Sequence, residues 1–118
     1  AVIGYCFGGT GALEAARAGF EVQGVVSIHG GLSKDESRPN SPIHTKVLVE
    51  HPAEDQSVSQ EDFDNLVKEL KAANADWQII MYANTGHTFT NPESHEYDEG
   101  MAKRAWNHTL LFLEEVLK

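Results

Sequence analysis

The chain predicts an α/β fold, a parallel β-sheet with helices on its faces, and two observations carry that prediction. Short runs rich in β-branched residues alternate with stretches whose apolar residues recur at helical spacing, and Gly, Pro and Asn punctuate the boundaries. The resulting order is β-α-β-loop-β-α-β-loop-α, and strands separated by helices pair in parallel. No repeat, low-complexity segment or linker interrupts the 118 residues, so residues 1–118 read as a single domain.

Ala1–Gly4 is a short apolar run expected as a buried strand, with Tyr5–Gly9 as the turn behind it. Thr10–Ala18 is rich in Ala and predicts a helix that Gly19 stops. Gly24-Val25-Val26-Ser27-Ile28-His29 predicts a second buried strand. Gly31, Pro39, Asn40 and Pro42 mark residues 30–45 as surface loop. Lys46–His51 predicts the third strand, followed by a loop over 52–58. Ser59-Gln60-Glu61-Asp62 resembles a capping box with Asp in place of Glu. Phe63, Leu66, Val67 and Leu70 continue from it at helical spacing to about Ala73. Trp77–Tyr82 predicts the fourth strand and 83–92 a loop. From Tyr97 to Leu117 a long helix is expected to turn Ala102, Ala105, Trp106, Thr109, Leu113, Val116 and Leu117 inward.

Composition narrows the function classes. Hydrophobic residues make up 41% and charged residues 23%, an ordinary globular balance. A net charge of −9 disfavours nucleic acid and anionic membrane surfaces as partners. No apolar run approaches the ~20 residues that a membrane span needs, and no signal-peptide layout opens the chain. One cysteine excludes an internal disulfide, so the expected location is cytoplasmic. Ala1-Val2-Ile3 already reads as strand, and a parallel strand needs neighbours. The chain is therefore expected to be a partial domain lacking upstream strands. Its uncovered sheet would make self-association possible.

Gly4-Tyr5-Cys6-Phe7-Gly8 has the form Gly-x-Cys-x-Gly after a strand, the nucleophile-elbow pattern of α/β-hydrolases with Cys for Ser. Side chains two residues either side of such a turn are expected to collide with neighbouring backbone. In an open parallel sheet, ligands bind beyond the carboxyl ends of the strands. Cys6 follows the first strand, Asp55 the third and His87 the fourth, in the chain order nucleophile, acid, histidine. His87 is expected to draw the proton from Cys6 and leave a thiolate, assisted by the start of the following helix. Asp55 would orient the imidazole, and the Phe7 backbone N–H would be the first oxyanion donor. Competing readings are a buried, inert Cys6, a loop role for Asp55 with Glu54 as the acid, and a turn role for His87. Tyr5 and Phe7 fit either a substrate pocket or packing beneath the turn. His29, His44, His51, His95 and His108 show no metal-ligand spacing and are expected on the surface or in loops. No metal site and no cofactor are predicted. Arg17 and Lys103 are the basic residues near these segments, and nothing in the sequence brings them to the pocket.

Gly4-Tyr5-Cys6-Phe7-Gly8-Gly9, Glu50-His51-Pro52-Ala53-Glu54-Asp55 and Thr85-Gly86-His87-Thr88-Phe89-Thr90-Asn91-Pro92 together resemble the dienelactone hydrolase family. The likeness runs the length of the chain, including the Trp106 region. It implies the C-terminal half of an α/β-hydrolase fold and hydrolysis of a small-molecule ester or lactone through a thioester, without metal or cofactor. The namesake enzymes carry an arginine shortly after the histidine, where this chain has Thr90-Asn91-Pro92. Two further expectations compete with an active hydrolase: an inactive half-domain, and a thiol-based redox sensor.

Overall fold

The four β-branched runs form one sheet because each is apolar on both faces and needs cover on both sides. A computed structural model of the chain describes residues 1–118. The elements are β1 (Val2–Tyr5), α1 (Phe7–Arg17), β2 (Gly24–Ile28), β3 (Lys46–Pro52), α2 (Gln60–Ala72), β4 (Trp77–Tyr82) and α3 (Glu99–Val116). All neighbouring strands are parallel, in the spatial order β1-β2-β3-β4. Val2 pairs with Val25, Val25 with Val47, and Val47 with Trp77, so one register runs across the sheet.

Strand alternation sends successive side chains to opposite faces. Val25, Val47 and Val49 join Leu13 and Ala16 of α1 and Leu66 and Leu70 of α2 in the larger core. Val26, Ile28 and Leu48 face the other way, against Phe112 of α3. The two central strands are buried almost throughout. β1 and β4 are the sheet edges and are more open.

Ser59 caps α2 as its sequence predicts, its side chain accepting from Asp62 N–H at 3.1 Å. Asp98 caps α3 in the same way, accepting from Met101 N–H at 3.1 Å. Three expectations are corrected. Helix α1 starts at Phe7, three residues before Thr10, because the turn takes a single residue. Trp106 and Leu117 are 47% and 57% exposed, so neither belongs to the inner face of α3. No helix is long and apolar enough to cross a membrane.

Candidate active site

β1 passes into α1 through Cys6 alone. Its backbone sits at φ 53°, ψ −119°, a region that side chains seldom occupy and that bends the chain sharply. Hydrogen bonds hold the bend on both sides. Cys6 N–H donates to the Ile28 carbonyl at 3.0 Å, and the Cys6 carbonyl accepts from Gly9 N–H at 2.9 Å. The collision expected two residues before the elbow is found at Gly4, and Gly9 makes a second close approach. A Cβ on Gly4 would lie 1.8 Å from the Gly8 carbonyl oxygen, and one on Gly9 would lie 2.9 Å from Gly30 Cα. Gly8 itself has open space where a Cβ would go, so the collision expected there is corrected. Phe7 opens α1, and a first-turn N–H has no partner within its helix. The Phe7 side chain is 91% exposed, whereas Tyr5 lines the cavity beside Cys6, so neither packs beneath the turn.

Asp55 and His87 meet. His87 Nδ1 lies 2.9 Å from Asp55 Oδ2, and the Asp55 side chain is fully buried while that of His87 is about a third exposed. Ser57 N–H donates to Asp55 Oδ1 at 2.8 Å, which fixes the carboxylate's orientation. Glu54 is exposed. The loop bearing His87 is tied down by Glu54 N–H donating to Thr85 O at 2.9 Å and by the fully buried Phe89.

The sulfur has a partner that the sequence did not suggest. Cys6 Sγ lies 3.3 Å from Nδ1 of His29, and no hydrogen bond joins Cys6 to His87. His29 is buried at the carboxyl end of β2, correcting its expected place on the surface. Its Nε2 lies 2.7 Å from Thr90 Oγ1, and its ring stands 5.6 Å from that of His87. Burial brings the His29 imidazole down to about 4, with neighbouring His87 acting in the same direction. Burial also pushes the Cys6 thiol up, and the Asp55 carboxylate adds to that. Neither shift favours the resting thiolate that the sequence suggested.

A cavity of about 400 Å³ opens beside Cys6, lined by Tyr5, Ile28, His29, Thr90, Trp106 and Glu50 among others. No Lys or Arg lines it. Glu50 is wholly buried on β3. Thr109 Oγ1 donates to its Oε1 at 3.1 Å, and Tyr82 Oη donates to Oε2 at 3.4 Å. Burial pushes its carboxyl up to about 8, so a neutral acid occupies the cavity floor at pH 7.

The other candidates lie elsewhere. His51 is also buried, again contrary to expectation, against Phe63 with ring centroids 5.2 Å apart. His44 and His95 are exposed, and His108 Nδ1 lies 2.7 Å from Tyr82 Oη. Arg17 is held by Glu14 and Glu69 at the far end of α1. Lys103 pairs with Glu99 on the surface of α3. No group of three or more His, Cys, Asp or Glu side chains is placed to hold a metal ion.

Comparison with known proteins agrees with this architecture. The sequence profile of the dienelactone hydrolase family matches residues 1–117. An uncharacterised protein of Caenorhabditis elegans is 35% identical over 121 residues, covering 95% of this chain and 77% of that protein. A Salmonella typhi relative is 30% identical over 118 residues, covering 92% of this chain and 43% of its own length. The crystal structure of P91, a dienelactone hydrolase-like promiscuous phosphotriesterase from metagenomic libraries, superposes with a TM-score of 0.88 at 32% identity. The match takes in 97% of this chain and 51% of that one. The chain thus spans about half the length of the solved relative and less than half of the bacterial one. On the profile match and on these relatives, the chain belongs to the dienelactone hydrolase family.

Proposed function

We propose that this chain carries the catalytic residues of a cysteine-dependent hydrolase of carboxylic esters or lactones, with Cys6, His87 and Asp55 as nucleophile, base and orienting acid. The observation that carries the proposal is the 2.9 Å contact between His87 Nδ1 and a buried Asp55 carboxylate, set beside a cysteine on a strained elbow. An imidazole whose Nδ1 is committed to a carboxylate has Nε2 free to accept a proton. Attack of Cys6 Sγ on the ester carbon forms the C–S bond while the thiol proton passes to His87. The tetrahedral oxyanion meets the Phe7 N–H. Its collapse breaks the ester C–O bond, and His87 returns the proton to the departing alkoxide, leaving a thioester. Water then attacks that thioester, His87 takes its proton, and the acid leaves with the thiol restored.

The cavity's lack of a basic side chain supports uncharged acyl groups over carboxylates. The raised thiol pKa counts against the redox-sensor alternative, which needs a reactive thiolate. We further propose that strands upstream of this chain, corresponding to the other half of the relatives, pair with the open edge of β1 and supply the second oxyanion donor. The half-domain alternative, an inactive chain, differs in its outcome under the same test. Incubation with p-nitrophenyl acetate followed by mass spectrometry of the quenched protein should show an acetyl group on Cys6 and sustained release of p-nitrophenol. Both should vanish in Cys6→Ala. Turnover that survives in Cys6→Ala would remove the nucleophile assignment, and acetylation without turnover would favour the incomplete half-domain.

A further inference from the structure

His29 is placed too specifically to be filler. Its backbone has φ 40°, and its N–H donates to the Glu50 carbonyl at 2.9 Å, so the end of β2 is pinned to β3. The ring is wedged among Tyr5, His87 and Phe89, with centroid separations of 5.8, 5.6 and 5.6 Å. Both nitrogens are engaged, Nδ1 by Cys6 Sγ and Nε2 by Thr90 Oγ1. We propose that His29 is the positioning residue of the nucleophile: its Nδ1 accepts the Cys6 S–H, and its Nε2–H, donated to Thr90, fixes the tautomer that can accept. It builds on Cys6 as the proposed nucleophile, though its test does not depend on turnover.

Counting protons allows two arrangements, this one and its reverse with Nδ1–H facing sulfur and Thr90 donating to Nε2, and a sulfur that keeps its proton selects the first. A neutral imidazole has one N–H and one acceptor nitrogen, and a thiol has one proton to give. Burial keeps His29 neutral at pH 7, so it offers the sulfur no positive charge. The carboxylates of Asp55 and Glu96 face His29, and Asp55 also faces Cys6. Glu50 acts on the adjoining Tyr5. Of these, Asp55 disfavours an anionic sulfur, and burial of the thiol acts in the same direction. His29 therefore holds the proton on sulfur and competes with His87 for it. Transfer of that proton to His87 requires the bond to His29 to break first.

The test is the rate of Cys6 alkylation by iodoacetamide against pH, in this chain and two variants. Gly adopts the positive φ of position 29 without strain and carries no group to meet the sulfur. His29→Gly should move the alkylation inflection to lower pH and speed the reaction at neutral pH by about fivefold, the worth of one ordinary hydrogen bond. Thr90→Val removes the acceptor of Nε2–H. The ring then favours the Nδ1–H tautomer, which donates to sulfur, and the inflection should again fall. An inflection unmoved or raised in His29→Gly, with its circular dichroism native, overturns the proposal. If that variant does not fold, Thr90→Val decides by the same criterion. Ester turnover plays no part in this readout, so an inactive chain would leave it intact, and a failed alkylation shift would leave the hydrolase reading intact.

Discussion

Replacing Glu50 with Gln is expected to abolish a loss of stability that the parent chain suffers as pH rises past neutrality. Glu50 ionises near 4.5 when unfolded and at about 8 in the fold. Between those values the folded state holds one proton more than the unfolded state. Stability therefore falls with rising pH, by about 1.4 kcal/mol per unit, and this contribution is fully present only below pH 4.5. His29 has the opposite sign. Its folded value of about 4 lies below its ordinary 6.5, so its contribution grows as pH climbs between them. His51, brought down by burial, acts with it. Above pH 6.5 the histidine contributions level off within about a unit, and Glu50 dominates up to pH 8. The parent should lose about 1 kcal/mol across that interval, the loss from Glu50 being offset in part by the remaining gain from His29 and His51. Glutamine keeps an acceptor for Thr109, can donate towards Tyr82 and cannot ionise, so the variant's stability should not fall and should rise slightly with the histidines. Urea unfolding followed by circular dichroism at pH 6.5 and pH 8 measures both slopes. A parent equally stable at the two pH values, or a variant that keeps the parent's slope, would refute the neutral buried acid.

The elbow glycines should separate cleanly. Gly9→Ala forces a Cβ to within 2.9 Å of Gly30 Cα and should cost about 1–3 kcal/mol in urea unfolding, whereas Gly8→Ala meets open space and should cost nothing. Equal losses in the two would show that the elbow does not depend on that close approach. On the proposed mechanism, Asp55→Asn leaves His87 without its anionic partner and should lower kcat for an activated ester by about three to four orders of magnitude. A decrease of less than tenfold would remove Asp55 from the orienting role.

The strands and helices were legible because each carries its own period, and the order of elements followed from that alone. The start of α1 was not. Phe7-Gly8-Gly9 looks like a turn by composition, yet Cys6 alone makes the bend and leaves the glycines inside the helix. Trp106 reads as core by spacing, but α3 turns it toward the mouth of the cavity. Cys6, Asp55 and His87 were marked by their position after strands. His29 stands at the end of β2 and the same positional rule selects it, but its neighbours resemble no familiar motif. Glu50 left a trace as well, a carboxylate within Val47-Leu48-Val49, where only a partnered or neutral acid could be buried. Its partners Tyr82 and Thr109 come from distant elements and are invisible to any local pattern.

The sheet order has a mechanical consequence for the site. Cys6 leaves β1 and His87 leaves β4, at opposite edges of the sheet. With neighbouring strands about 4.8 Å apart, the two departure points are about 14 Å from each other. The segment from Ala83 to Asp98 works as a cantilever, leaning back over β3 and β2 to deliver its imidazole. Its root is clamped where Glu54 holds Thr85, its middle rests on the buried ring of Phe89, and Thr90 props its reach against His29. Adding or removing a residue along that arm would shift His87 relative to the sulfur while every strand kept its register. The sheet thus fixes where Cys6 stands, and the length of one arm sets how far His87 falls from it.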